Sequence, residues 1–306
     1  MSRESCCSSW WHAVGGAIRR ALAVNRPPQY AHLLQVLTRL QPYSDGDERP
    51  MQGTLFDITG RVALVTGGSK GLGLAMARGF AEAGADVVIS SRHQDELDVA
   101  LAQITDGLDV KGLTVVADMT SRDDVKRLAE TALSEMGRVD VLVNNAGSNV
   151  PEEIDEITNE NWDRIIELNL SSCMALTREL VPQMKERGWG RVIHISSIMG
   201  LVSKEGRNAY SATKSGLLGL TRASALDLGG SGITVNSICP GPFLTDLPQS
   251  VLSAEQVAFF AERTALGRWG DPRELVGTAL LLGTDAGSYI TGTEITVDGG
   301  TVVKSF

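Results

Sequence analysis

Four cysteines are spread through 306 residues, too few and too scattered to build anything. Cys6, Cys7, Cys173 and Cys239 make no Cys-x-x-Cys pair and have no neighbouring histidines. That excludes a disulfide framework and a zinc site, points to no bound metal, and fits reduced thiols in a cytoplasmic setting. Long apolar runs are missing too: nothing approaches the roughly 20 residues that a membrane helix needs. Positive charge is in deficit, with a formal net charge of −9 and a pI near 5, which argues against nucleic acid or an anionic membrane as partner. What the chain does have is 42% hydrophobic residues, enough for one large α/β core or two small ones.

Composition changes near residue 50. Residues 1–50 hold six arginines against four acidic residues, and Pro27, Pro28, Pro42 and Pro50 interrupt any long helix. A poorly ordered extension over 1–52 is expected, followed by a single domain over 53–306. Three readings of the extension stand open. It has the acid-poor, Arg- and Ser-containing composition of an organellar transit segment. It could be a partner-binding or oligomer-capping arm. The reading preferred here is that translation begins at Met51, because the enzyme-like pattern starts immediately afterwards.

The chain is organised around the stretch 197–214. The apolar run at 191–196 reads as a buried strand, which puts Ser197 at its C-terminal end, where open α/β sheets keep their chemistry. Tyr210 and Lys214 are four residues apart on a segment of helical character over 209–228, so their side chains share one face. A phenol is a poor proton donor at neutral pH, but an ammonium alongside favours the phenolate and equips the pair for acid/base work. Ser197 can hydrogen-bond the same substrate oxygen. The three together would polarise a carbonyl or a secondary alcohol, and they lack only an electron carrier. On its own, Tyr-x-x-x-Lys is a common surface pattern; the other stretches change its weight.

The carrier is indicated upstream. Residues 62–66 read as the first strand of a parallel sheet, followed directly by Gly67-Gly-Ser69-Lys70-Gly71-Leu72-Gly73 and a helical segment at 74–83. Glycines between strand and helix permit a tight turn and let the backbone approach a pyrophosphate at the helix N-terminus. The spacing is Gly-x-x-x-Gly-x-Gly, which departs from the commoner Gly-x-Gly-x-x-Gly. A second strand at 85–89 ends at Ser90, Ser91 and Arg92. An acidic residue there would accept from an adenosine ribose 2′-hydroxyl; instead Ser91 and Arg92 take that place, with Lys70 in the turn. Two cations without a carboxylate favour NADP(H), with NAD(H) still possible. A third strand at 115–118 brings Asp118 to where an adenine amino group could be read. A fourth at 139–143 runs into Asn144-Asn145-Ala146-Gly147, whose small residues let a cofactor pass close.

Taken in order, Thr66 to Gly73, Asn144 to Gly147, Asn169, Ser197, Tyr210-x-x-x-Lys214 and Pro240-Gly241 resemble the short-chain dehydrogenase/reductase family, in its branch of about 250-residue one-domain enzymes. The resemblance runs from about Phe56 to Gly300. It implies a Rossmann-like, doubly wound α/β fold of about seven parallel strands in three α/β/α layers. It also implies a catalytic tetrad: Tyr210 as acid/base, Ser197 steadying the substrate oxygen, Lys214 on the nicotinamide ribose, and Asn169, in a helix over 161–187, holding a water that links Lys214 to solvent. Tyr210 and Lys214 would thus also touch the cofactor. Pro240 and Gly241, after a strand at 233–238, would embrace the nicotinamide, with Thr245 near its carboxamide. Residues 289–300 resemble the family's last strand and closing turn. Residues 1–50 have no counterpart.

The expected function is an NADP(H)-dependent oxidoreductase interconverting a small-molecule carbonyl and a secondary alcohol. The lead-in at 55–60 looks like sugar-acid dehydrogenases of the gluconate 5-dehydrogenase type, and Arg207 could meet a carboxylate. A 3-oxoacyl thioester reductase fits the motif set equally. A third reading, of another class, is an NADP(H)-binding sensor or scaffold without turnover. Residues 242–268, with Phe259 and Phe260, read as a helical lid. Leu217, Leu218 and Leu220 look surplus to one buried helix face, and the family commonly pairs such helices, so a homotetramer or homodimer is expected.

Overall fold

A computed structural model describes residues 54–245 and 253–304. The expectations for residues 1–52 lie outside the described residues. Seven strands form one wholly parallel sheet: β1 (Val62–Thr66), β2 (Asp86–Ser91), β3 (Gly112–Val116), β4 (Val141–Asn144), β5 (Gly190–Ile195), β6 (Ile233–Pro240) and β7 (Glu294–Val297). Their spatial order is β3-β2-β1-β4-β5-β6-β7. The order reverses between β1 and β4, and open sheets of this kind bind ligands in the crevice beyond such a reversal. The central strands β1, β4, β5 and β6 are buried at every position, which is why β1 and the first three residues of β4 read as apolar runs without alternation.

Helices cover both faces. On one, α1 (Gly71–Glu82), α2 (Gln94–Thr105) and α8 (Val276–Gly283) pack Met76, Phe80, Leu97, Ile104 and Leu282 against Ala63, Val65, Val87 and Ile193. On the other, α3 (Arg122–Met136), α5 (Ser172–Arg187) and α6 (Asn208–Leu228) pack Leu128, Leu176, Leu180 and Leu228 against Leu64, Leu142 and Val235. Ser121 caps α3 through the Asp124 N–H, and Gly137 closes it in the left-handed region. Each such burial of a large aliphatic side chain is worth about 1.5–3 kcal/mol, so these two layers hold the loops at the sheet's C-terminal edge on a rigid base.

Several expected boundaries move. The third strand is Gly112–Val116, so Ala117 and Asp118 lie beyond it in the loop. The helix expected over 161–187 is α4 (Asn159–Ile166), a π-helical turn (Glu167–Ser171) and then α5. Leu217 and Leu218 are buried inside the monomer and Leu220 is half-buried, so they are not the surplus apolar surface of α6; exposed Leu226 is. Over the sheet's C-terminal edge lies α7 (Ala254–Glu262), inside the region read as a lid; residues 246–252 of that region lie outside the described residues.

The opposite edge is held by charge. The Asp140 carboxylate, fully buried, accepts from the Val62 N–H at 2.9 Å and from Arg138 at 2.5 and 2.7 Å, with Arg61 and Arg187 at 3.6 and 3.9 Å. Trp189 is sandwiched between the Arg61 and Arg191 guanidinium groups, 4.0 and 4.1 Å from its ring.

Candidate active site

The glycine turn leaves β1 and enters α1. Gly67 and Gly71 have φ of +63° and +56°, a region that L side chains avoid. A Cβ on Gly73 would stand 2.2 Å from the Gly67 carbonyl oxygen and 2.6 Å from Asn145 Nδ2, so no side chain fits there. The turn is clasped to the end of β4: Asn145 Nδ2 donates to the Thr66 and Gly67 carbonyls at 2.8 and 3.2 Å, and Thr66 Oγ1 accepts from the Asn145 and Ala146 N–H groups at 3.0 Å. Thr66 is therefore a clamp that the sequence pattern did not single out. The α1 N-terminus has no side-chain cap, which leaves its first N–H groups facing the crevice. A backbone stripped of side chains, ending on open helix N–H groups, fits a dinucleotide pyrophosphate.

At the far end of the turn the expectation of cations without a carboxylate fails. Glu96, in the first turn of α2, accepts from Lys70 Nζ at 3.4 Å and from Ser69 Oγ at 3.2 Å. Ser91 Oγ is engaged with the backbone of His93, and Arg92 is exposed. Asp118 is half-buried and turned on its own loop, its Oδ1 accepting from the Thr120 N–H and hydroxyl. Glu96 escaped notice because it lies five residues past the strand end, where helix geometry brings it back to the turn.

The second cluster sits at the C-terminal ends of β4 and β5. Ser197 directly follows the buried Ile195–Ser196 pair, and its Oγ accepts from the Met199 N–H at 3.1 Å, leaving the hydroxyl hydrogen free to point into the crevice. Tyr210 and Lys214 stand on consecutive turns of α6, with Lys214 Nζ 5.5 Å from the Tyr210 ring centroid. Lys214 is 4% exposed, and its ammonium donates to the Ile195 carbonyl at 2.8 Å. Ser196 fixes the same turn of α6 by donating to the Lys214 carbonyl.

Asn169 lies on the π turn, fully buried. Its side chain accepts from the Ser148 N–H at 2.9 Å and donates to the Ser148 carbonyl and Thr213 Oγ1 at 2.8 and 3.2 Å. It thus ties the loop after β4 to α6. A Cβ on Gly147 would stand 3.2 Å from Asn169 Oδ1 and 3.4 Å from Lys214 Nζ, so Gly147 adjoins both.

Behind this cluster, His194 is fully buried on β5, its Nδ1 3.1 Å from Asn144 Nδ2. That contact makes Nδ1 the acceptor, since the amide nitrogen can only donate. Burial first, and the Lys214 charge second, push the imidazole down to about 4, which keeps it neutral. The thiols of Cys173 and Cys239 are pushed up, chiefly by burial, as packed thiols should be.

The second cluster opens on a cavity of about 810 Å³, which the glycine turn reaches through Leu72 while Gly67, Gly71, Gly73 and Ala146 stay outside its lining. Leu72, Asn145, Gly147, Pro240 and Gly241 line one part of it, and Ser197, Tyr210 and Lys214 stand in its wall. Beyond them Met199, Val202, Phe259, Phe260 and Trp269 make an apolar wall, and Lys204, Arg207, Arg263 and Lys304 bring charge. Phe260 packs edge-on against Trp269, whose Nε1 donates to the Val257 carbonyl, so α7 is fastened over the opening. Lys304 Nζ donates to the Glu262 and Thr264 carbonyls, pinning the C-terminal segment to the end of α7. Nothing in the sequence pattern signalled Trp269 or Lys304, because both reach the cavity from loops. Asn169, Ser69, Lys70, Ser91, Arg92 and Asp118 do not line it, and Thr245 stands with its methyl group 3.2 Å from where a Gly71 Cβ would be.

Residues 67–302 match the family model described as enoyl-(acyl carrier protein) reductase. The chain belongs to the short-chain dehydrogenase/reductase family. It is an oxidoreductase of that family. It is 34% identical over 254 residues to gluconate 5-dehydrogenase of Gluconobacter oxydans, covering 82% of this chain and 98% of the relative. It is 35% identical over 250 residues to a 3-oxoacyl-(acyl carrier protein) reductase of Thermotoga maritima, covering 80% and 99%. Among solved structures, a putative NAD(P)-dependent gluconate 5-dehydrogenase from Beutenbergia cavernae, with NADP bound at low occupancy, superposes with a TM-score of 0.77 at 35% identity, covering 82% of this chain and all of that one.

Proposed function

We propose that this dehydrogenase/reductase uses NADP(H) to interconvert the carbonyl and secondary alcohol of a small anionic substrate, a sugar acid of the gluconate type. The observation that carries the substrate class is the imbalance of charge in the cavity wall. Among the described residues, Lys204, Arg207, Arg263 and Lys304 line it against a single carboxylate, Glu205, although the chain as a whole is acidic. Lys204 is held below the usual lysine range, chiefly by burial and then by the Arg207 charge, with Glu205 opposing the shift. Lys70 and Arg92 support NADP(H), as does the NADP recorded in the Beutenbergia protein.

When bound, the dihydronicotinamide supplies the hydride. Ser197 donates its hydroxyl hydrogen to the substrate oxygen while Met199 N–H holds the Oγ in place. Tyr210 delivers the phenolic proton to that oxygen in reduction and removes it in oxidation. Lys214, fixed by the Ile195 carbonyl, stabilises the phenolate that forms, and would hold the cofactor ribose. Asn169 acts by position, holding Ser148 and Thr213 so that Gly147 stays close to Lys214. The Thermotoga relative favours a second reading, a 3-oxoacyl thioester reductase. Exposed Leu226 on α6 and half-exposed Trp162 and Met174 on α4 and α5 support assembly into a homodimer or homotetramer, which light scattering tests.

Steady-state assays with 5-ketogluconate and an acetoacetyl thioester separate the two substrates. Turnover of 5-ketogluconate with a KM that rises about tenfold or more in Arg207→Ala supports the first, and turnover of neither refutes both. Tyr210→Phe separates an enzyme from a sensor or scaffold: turnover should fall by roughly 10²–10⁴-fold with NADPH binding retained.

A further inference from the structure

Glu96 stands against the glycine turn, bonded to Ser69 and Lys70; the two nicotinamide dinucleotides bear on this place through their one difference. They are identical except at the adenosine ribose, which carries either a 2′-hydroxyl, able to donate a hydrogen bond, or a 2′-phosphate bearing close to two negative charges. With a pyrophosphate at the α1 N-terminus, that ribose would lie between the glycine turn and the end of β2. β2 ends on Ser91, whose hydroxyl is engaged with the backbone of His93, and Arg92 follows, so the strand end itself offers no carboxylate to a ribose hydroxyl. The structure supplies one from elsewhere. Both oxygens of the Glu96 carboxylate face the turn, Oε1 toward Lys70 and Oε2 toward Ser69. The carboxylate therefore holds the two donors that a 2′-phosphate would need, and is itself an acceptor that a 2′-hydroxyl could use.

We propose that Glu96 is a cofactor-selecting residue: it accepts from the 2′-hydroxyl of NAD(H), and it opposes NADP(H) by repelling the 2′-phosphate and by competing for Ser69 and Lys70. The chain is then built for both dinucleotides. Lys70 and Arg92 pull toward the phosphate and Glu96 pulls back. The proposal rests on the cofactor assignment above but not on the substrate.

The test is direct binding of NADPH and NADH, read by calorimetry or by nucleotide fluorescence, to the full-length protein and to Glu96→Gln. The amide keeps the size of the side chain and its ability to accept, and removes its charge. NADPH should bind about fivefold more tightly to the variant, the scale set by an exposed ion pair. NADH should bind several-fold more weakly, because a neutral acceptor replaces a charged one. The two affinities must move in opposite directions. A parallel loss for both would make Glu96 a tie that only shapes the turn, and weaker NADPH binding would make it a support for Lys70; either result overturns the proposal, as does no change. An unaltered melting temperature of the free variant confirms that the turn still folds. If neither nucleotide binds the parent protein, it is the cofactor assignment that fails, and the two failures are distinguishable.

Discussion

Replacing His194 by Asn should flatten the acid side of the protein's stability curve. The imidazole is fully buried between β5 and its covering helices, accepts through Nδ1 from Asn144, and is pushed down from 6.5 to about 4. The sign follows from proton counting. Between pH 6.5 and 4 the unfolded chain binds a proton at this site and the folded chain does not, so lowering pH favours unfolding. Above pH 6.5 the site is neutral in both states and contributes no pH dependence. At about 1.4 kcal/mol per unit, the loss is about 2 kcal/mol at pH 5 and about 3 kcal/mol at pH 4. The assay is urea unfolding from pH 8 to pH 4.5 at fixed protein concentration, on the parent and on His194→Asn, comparing the slopes and not the absolute stabilities, since the smaller side chain has its own packing cost. The carboxylates titrate alike in both proteins and cancel in the difference. The two curves should converge by about 2 kcal/mol on going from pH 8 to pH 5. Parallel curves would falsify the claim that His194 is held neutral by its burial and the nearby Lys214 charge.

Two further outcomes test the scaffold. Gly73→Ala places a methyl carbon 2.2 Å from the Gly67 carbonyl oxygen, so the turn must move; we expect about 1–3 kcal/mol of destabilisation and at least a tenfold loss of NADPH affinity by calorimetry, and tight binding in a well-folded variant would contradict the steric reading. Asp140→Asn leaves Arg61, Arg138 and Arg187 facing a neutral group at the buried edge of the sheet and should cost about 3 kcal/mol or more in urea unfolding, with cofactor affinity unchanged because the glycine turn lies at the other end of β1. A loss below 1 kcal/mol would mean the pair is screened despite its burial.

The fold was legible because its signals are local. A strand buried on both faces is mostly apolar, and β1 and β4 declare themselves in four or five residues, whereas β5 and β6 carry buried Arg191, His194, Asn236 and Ser237 among their apolar positions. Tyr210 and Lys214 were paired by helical spacing alone, and the glycine turn by its place between a strand and a helix. What the sequence hid depends on where the chain returns. Glu96 comes back to the turn from α2, Lys304 from the C-terminal segment, and Trp269 from a loop, so no spacing rule reaches them. The reading of Leu217 and Leu218 as surplus failed for a related reason: α6 is wedged between β6 and its neighbouring helices and buries more than one stripe of its surface. The π turn was also invisible, since Asn169 sits in an otherwise unbroken helical pattern.

That turn connects the local and the distant. A π turn adds a residue to one helical cycle, so the side chains before and after it cannot keep one register. Ile165 on α4 and Leu176 and Leu180 on α5 are buried on either side of it, and Asn169 at the junction is carried inward to reach Ser148 and Thr213. An unbroken α-helix over the same residues would have to give up either the packing of α5 under β4 or the tie between the loop after β4 and α6. The irregular turn keeps both, and so a helix whose ends are engaged in packing delivers its one buried amide to the edge of the sheet where Gly147 and Lys214 meet.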